Sequence, residues 1–343
     1  QGERIGYIDL AKGLCIIIII FNHINCLFYP ELLENPLSNM FSCFRMPLYF
    51  FLSGLFFKAY GGFLEYTRHK TNKLLVPFVF WHLTLSLGLA WVIGIVTKGS
   101  WSLEPVKENF LAILHNGTPL NIPIWFLLAL FVTDILFYCL FALAERLKSI
   151  PMAATIAVGA ILFGVVGQLS RTFEVNLPLY LDTACTAMPF FAVGYLIRKH
   201  TNLLSTPMNW KGGVMIVFGL VMMAMAFIWN VYFMDLRINA INVPALFAYL
   251  FAFSGIALIL YVSKAIGHLP IISYLGRYSI ILLVLHVPFL HIFGGAICKL
   301  CGNMPDIGKG LISFVVVTSL CTACIPLCLR FLPKFTAQKD LIE

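Results

Sequence analysis

Apolar residues in this chain run in stretches of about 20, separated by short segments rich in charge, Pro or Gly, without the two-residue alternation of a half-buried strand. These runs predict helices near residues 10–29, 41–58, 74–97, 123–143, 151–168, 179–197, 212–233, 243–263, 271–297 and 308–331. A helix that is apolar on every face is stable in hydrocarbon, because its own backbone satisfies its N–H and C=O groups. The expected fold is therefore an all-α polytopic bundle of about ten transmembrane helices. No internal repeat, low-complexity tract or linker breaks residues 1–343, so one integral-membrane domain is expected.

Composition sharpens this picture. Of 343 residues, 60% are hydrophobic and 11% charged, which excludes a soluble enzyme, a nucleic-acid binder or a secreted disulfide module. The net charge of +8 matters through its distribution. Of the 23 Lys and Arg residues, Arg45, Lys98, Lys107, Arg171, Arg237, Lys299 and Lys309 fall on one side of a ten-span topology, and the rest on the side of the N-terminus. Basic loops stay cytoplasmic, so the chain is expected N-in and C-in. Trp81 and Trp210 then sit near the inner interface and Trp91, Trp101, Trp125 and Trp229 near the outer one. The first run carries Asn22 and His23 and lacks a small-residue cleavage pattern, so it is expected to remain as a span.

The ten cysteines include Cys298-x-x-Cys301 and Cys321-x-x-Cys324-x-x-x-Cys328. The second group lies in an apolar run without His or acid, where thiols pack as small hydrophobes, and no metal is expected. A disulfide between Cys298 and Cys301 stays open.

Ionisable groups inside spans cost about 2.5–3.5 kcal/mol on insertion scales, so each needs a partner, a watery cavity or a task. At 100° per residue, Asp9, Lys12 and His23 share one stripe of the first helix, with His23 about 16 Å beyond Lys12. An anionic ligand could lie along that stripe with its head at Lys12 and its reactive end at His23. Equally, Asp9 and Lys12 could form an interfacial i,i+3 pair, with His23 reaching water. His286 in the ninth run lies at a matching depth, so two imidazoles could flank one cavity. The cluster Arg68-His69-Lys70-Thr71-Asn72-Lys73 reads either as a phosphate site or as a topogenic loop. Asp182 is a further carboxylate in need of a partner, and Arg171 is near in sequence.

Together these motifs resemble the membrane-bound acyltransferase 3 family, in particular its branch similar to fucose 4-O-acetylases and other glycan O-acetyltransferases. The resemblance rests on Asp9-x-x-Lys12 with His23, and on Phe44-Arg45-Met46-Pro47-Leu48-Tyr49-Phe50-Phe51-Leu52-Ser53-Gly54. Weaker echoes are Trp125-Phe126-Leu127, Pro189-Phe190-Phe191 with Gly194-Tyr195, and Gly276-Arg277-Tyr278-Ser279 leading to His286-x-Pro288. It implies transfer of an acyl group, usually acetyl from acetyl-CoA, to a sugar hydroxyl beyond the cytoplasmic membrane. His23 falls at the family's catalytic histidine and Lys12 where many members carry Arg. Lys70-x-x-Lys73 stands for an Arg-x-x-Arg element; both departures keep charge and lose the bidentate fork.

The expected protein is thus an O-acyltransferase of the bacterial inner membrane. Its catalytic stripe is His23, Asp9 and Lys12, and its substrate-binding residues are His286, Lys70, Lys73, Arg68 and Asp182. Its donor is acetyl-CoA or a succinyl analogue, and its acceptor a cell-surface or lipid-linked glycan. The competing reading is a proton-coupled transporter or flippase for a polysaccharide precursor, because intramembrane His and acid also mark transport pathways.

Overall fold

The structure is a computed structural model that describes residues 5–28, 36–88, 121–302 and 304–342, with isolated positions between 91 and 111. Helix accounts for 79% of it, and the described strands are two two-residue pieces, Met234–Asp235 and Ala240–Ile241. The fold is all-α. Among the described residues, eight helices are long and apolar enough to cross a membrane. They are α1 (Gly6–Phe28), α6 (Trp125–Arg146), α7 (Met152–Thr172), α8 (Leu181–His200), α9 (Trp210–Trp229), α10 (Ala245–Ile266), α12 (Ser279–Leu300) and α13 (Asp306–Phe331). Helices α7 and α9 leave apolar side chains exposed around much of their circumference, such as Ile161, Leu162, Val217 and Ile228. That surface suits lipid and not water. The protein is an integral, multi-pass membrane protein.

Two expected spans take a different form. The run 41–58 divides into α2 (Pro36–Ser42), a turn at 43–46 and α3 (Pro47–Leu55). Pro47 has no N–H and disfavours helical geometry at Met46, so it can begin α3 but cannot extend α2. The run 74–97 begins early, at α4 (Phe63–Lys70), and passes through a wide π turn (Thr71–Leu75), α5 (Val76–Trp81) and a second π turn (His82–Leu87). Pro77 cannot donate to the carbonyl four residues back and its ring crowds that carbonyl. The helix widens just before it, so that the Val76 N–H reaches Thr71 O. Most of positions 89–97, with Lys98 and Trp101, lies outside the described residues.

The chain forms two compact units interleaved in sequence. The first comprises 1–49, 197–235 and 241–325. At its heart α1 packs against α10, α12 and the short α11 (Pro270–Arg277). Glycine permits this approach. A Cβ on Gly276 would overlap the Asp9 carbonyl, and one on Gly13 would overlap that of Ile272. Because α11 runs straight into α12, this backbone contact also sets the height of α12 against α1.

The second unit comprises 50–196, 236–240 and 326–343. Its core gathers Phe137, Phe141, Ile156, Met188, Phe191 and Tyr195, with Phe57 among the rings. Within it Gly54 and Gly194 play the same part for α3 and α8: a Cβ on either would meet the backbone of Phe191 or Phe51. Asn239 keys its loop into α7 and α8, donating to Gly167 O at 2.8 Å and accepting from Thr186 Oγ1 at 2.6 Å.

Gly276→Ala is expected to destabilise the protein by about 1–3 kcal/mol, since helix backbones must separate to admit the methyl group. Gly213→Ala on α9, where a Cβ meets nothing within 4 Å, is the control and should match or slightly exceed wild-type stability. Thermal unfolding of both variants in detergent tests this; equal behaviour would contradict it.

Candidate active site

In the first unit the two expected histidines meet. His286 Nε2 lies 3.3 Å from His23 Nδ1, with ring centroids 5.0 Å apart at 61°. His286 is fully buried and His23 partly so. Each ring also turns its Nδ1 onto the carbonyl one helical turn back: His286 onto Leu282 O at 2.7 Å and His23 onto Ile19 O at 2.9 Å. A carbonyl only accepts, so both Nδ1 atoms must carry a proton. The neutral His286 then offers its Nε2 lone pair to the His23 Nδ1–H, which it shares with Ile19 O. By the same bookkeeping, the basic lone pair of His23 sits on Nε2. One hydrogen-bond pattern thus selects the tautomer of both rings.

Further polar side chains of this unit pair with one another, one of them with α1. Ser38 donates to Asn22 Oδ1, and Asn39 Nδ2 donates to Asn230 Oδ1 at 2.9 Å. Arg45, in the break before α3, is nearly buried and donates to Tyr232 Oη at 2.6 Å. Asp9 and Lys12 lie eleven or more residues up the same helix, about 16–21 Å from His23. They therefore cannot touch atoms reacting there, although a long ligand could reach both. The Lys12 carbonyl accepts from Tyr49 Oη at 3.1 Å.

The basic cluster belongs to the second unit. Lys70 Nζ pairs at 2.7 Å with Asp134, a fully buried carboxylate on α6. Tyr66 Oη donates to the same oxygen at 2.7 Å, and Ser53 Oγ stands 3.5 Å from each Asp134 oxygen. Lys73 pairs with Asp340 at 2.8 Å, and Arg68 is exposed. Burial, then Lys73 and Lys70, pull the His69 imidazole below its ordinary range; the Lys73 hydrogen bond holds Asp340 below the usual carboxylate range. Asp182 lies towards another part of this unit. It is buried and accepts from the Thr183 N–H at 2.9 Å, two residues after Tyr180, which packs on Trp125 at the start of α6.

Asp134 was not anticipated from sequence, although its signal was there: a single carboxylate within the apolar run Phe131-Val132-Thr133-Asp134-Ile135-Leu136-Phe137. Its partner is 64 positions away, out of reach of spacing arguments within one helix. Among the described residues no group of three or more His, Cys, Asp or Glu could hold a metal ion, and Cys298 and Cys301 are free thiols.

Residues 5–330 match a family model described as an acyltransferase domain. No curated protein and no solved structure matches the chain.

Asp134→Ala leaves the Lys70 ammonium largely buried without its carboxylate and should cost about 3 kcal/mol. Adding Lys70→Met should restore more than half of that loss. A double-mutant cycle by thermal unfolding tests the coupling, and additive losses would contradict it.

Proposed function

The chain belongs to the membrane acyltransferase 3 family, and from that premise we propose that it moves an acetyl group from acetyl-CoA to a hydroxyl of a cell-surface or lipid-linked sugar. Succinyl is the alternative acyl group, and the motifs resemble the branch of glycan O-acetyltransferases similar to fucose 4-O-acetylases. The match over 5–330 includes segments of both units, which supports a single transferase domain. The membrane is the bacterial inner membrane, with both ends of the chain on its cytoplasmic side.

The observation that carries the reading is the contact of His23 Nδ1 with both Ile19 O and His286 Nε2, which leaves Nε2 as the basic nitrogen of the neutral ring. Acyl transfer needs a base for the hydroxyl proton and then an acid for the leaving thiolate. The Nε2 lone pair of His23 takes the proton as the acceptor oxygen attacks the thioester carbonyl. The tetrahedral intermediate collapses, the C–S bond breaks, and Nε2–H returns its proton to the CoA sulfur. The products are the sugar ester and free CoA, with His23 restored.

Between these steps His23 is an imidazolium. Its Nδ1–H then points at Ile19 O and the His286 Nε2 lone pair, both of which stabilise the charge. His286 is therefore a positioning residue for His23, in the sense that a triad carboxylate orients its histidine. Lys12 receives the anionic part of a ligand laid along α1, and Asp9 lies beside it on the same catalytic stripe. Arg68, Lys70 and Lys73 receive the donor's phosphates, with Asp134 fixing the Lys70 ammonium in place. Asp182 is assigned to substrate binding.

His23→Ala should lower transfer by roughly 10²- to 10⁴-fold. His286→Ala should lower kcat by a smaller factor, with the acyl-CoA KM unchanged. Quantifying O-acyl and O-succinyl esters on surface glycans tests this in a gene-deletion strain complemented with each variant. Wild-type ester content with His23→Ala would overturn the proposal.

A further inference from the structure

The segment after α13 lies beyond the residues that match the family, and the proposed chemistry does not use it. It is nevertheless held firmly at two places on the helix that carries the basic cluster. At one, Trp81 Nε1 donates to Phe335 O at 2.8 Å and the Phe335 ring stacks on Phe80 at 3.9 Å. At the other, the buried Asn72 treats the segment as a neighbouring strand would. Its Oδ1 accepts the backbone N–H of Leu341 and of Ile342, each at 2.8 Å, and its Nδ2 donates to Ile342 O at 2.8 Å. Between these anchors Lys73 Nζ donates to Ala337 O at 3.1 Å and pairs with Asp340 at 2.8 Å.

The position of that carboxylate is informative. Asp340 lies in the positive field of Lys73 and Arg68, where an anionic ligand of the cluster would put its charge. The ion pair is partly exposed, at 29% for Lys73 and 49% for Asp340, so it holds weakly. A phosphate brings more charge and three acceptor oxygens to the same cations and should displace it. A cavity of about 390 Å³ remains beside the segment, lined by Thr71, Leu75, Val79, Phe80, Phe335 and Leu341.

We propose that residues 332–342 are an autoinhibitory strap, in which Asp340 occupies at Lys73 the anion position that a phosphate of acyl-CoA takes on binding. Strap docking and donor binding then exclude each other, and the apparent affinity for donor is reduced by the fraction of molecules with the strap in place. This inference rests on the reading of Arg68, Lys70 and Lys73 as the donor's phosphate site.

The test uses the full chain in nanodiscs with CoA as the probe. In wild type, hydrogen exchange at the Leu341 and Ile342 amides should accelerate at saturating CoA, because Asn72 no longer protects them. Asp340→Asn removes the competing charge and Phe335→Ala the distant anchor. Each should tighten CoA binding about three- to tenfold. Lys73→Gln added to Asp340→Asn, where no strap carboxylate is left to release, should weaken it relative to Asp340→Asn alone. Unchanged CoA affinity on adding Lys73→Gln would sink the phosphate reading and the strap with it. Weaker binding on adding Lys73→Gln, with wild-type affinity in the two single variants and full protection of 341–342 at saturation, would overturn the strap alone. The exchange measurement needs no variant, so a poorly folding substitution does not remove the test.

Discussion

Two carbonyl oxygens, Ile19 O and Leu282 O, each need an N–H from the imidazole one turn along, and the two imidazoles also face each other. Only one placement of protons on neutral rings satisfies all three contacts. That constraint turns one buried and one partly buried histidine into a directional pair, with His286 accepting from His23 and the basic lone pair of His23 on the other side of its ring. The glycines lie upstream of the chemistry in the same causal chain. Gly13 and Gly276 bring α1 and α11 to backbone contact, α11 leads into α12, and His286 thereby stands level with His23. A shift of one helical turn, about 5.4 Å, would part the rings.

The second unit handles charge differently. Asp134 and Lys70 are an ion pair out of water, and such pairs are weak contributors to net stability but costly to break. Tyr66 satisfies the carboxylate further and the surrounding rings exclude water, so the lysine keeps one orientation. Lys73, by contrast, is held by partly exposed partners on the segment after α13. One lysine of the Lys70-x-x-Lys73 element is fixed and the other exchangeable, which is what a site needs if it is to be preorganised and yet open to a ligand.

Much of this was legible in the chain. Helical periodicity placed Asp9, Lys12 and His23 on one stripe, and counting residues from the start of the ninth run put His286 at the depth of His23. Both are one-dimensional arguments that survive folding because a helix is a regular ruler. The break at 43–46 was harder to see. Pro47 is apolar and sits inside an apolar run, so hydropathy reads through a position where the backbone cannot. The Gly54 and Gly194 motif positions were recognised by resemblance, but their reason, backbone contact between α3 and α8, needs three dimensions. Asp134, Asn239 and the Asn72 clamp were missed for a shared cause: each acts on a partner more than 50 positions away, and no local pattern encodes that distance.

Nitrogen NMR reads the proton placement on the histidine pair directly. In protein selectively labelled with ¹⁵N-histidine and reconstituted in lipid, His23→Gln and His286→Gln difference spectra assign the two rings. At neutral pH both rings should show a protonated pyrrole-type Nδ1 and an unprotonated Nε2. A protonated Nε2 on neutral His23 would put the lone pair against the Ile19 carbonyl and contradict the account of that residue as the base.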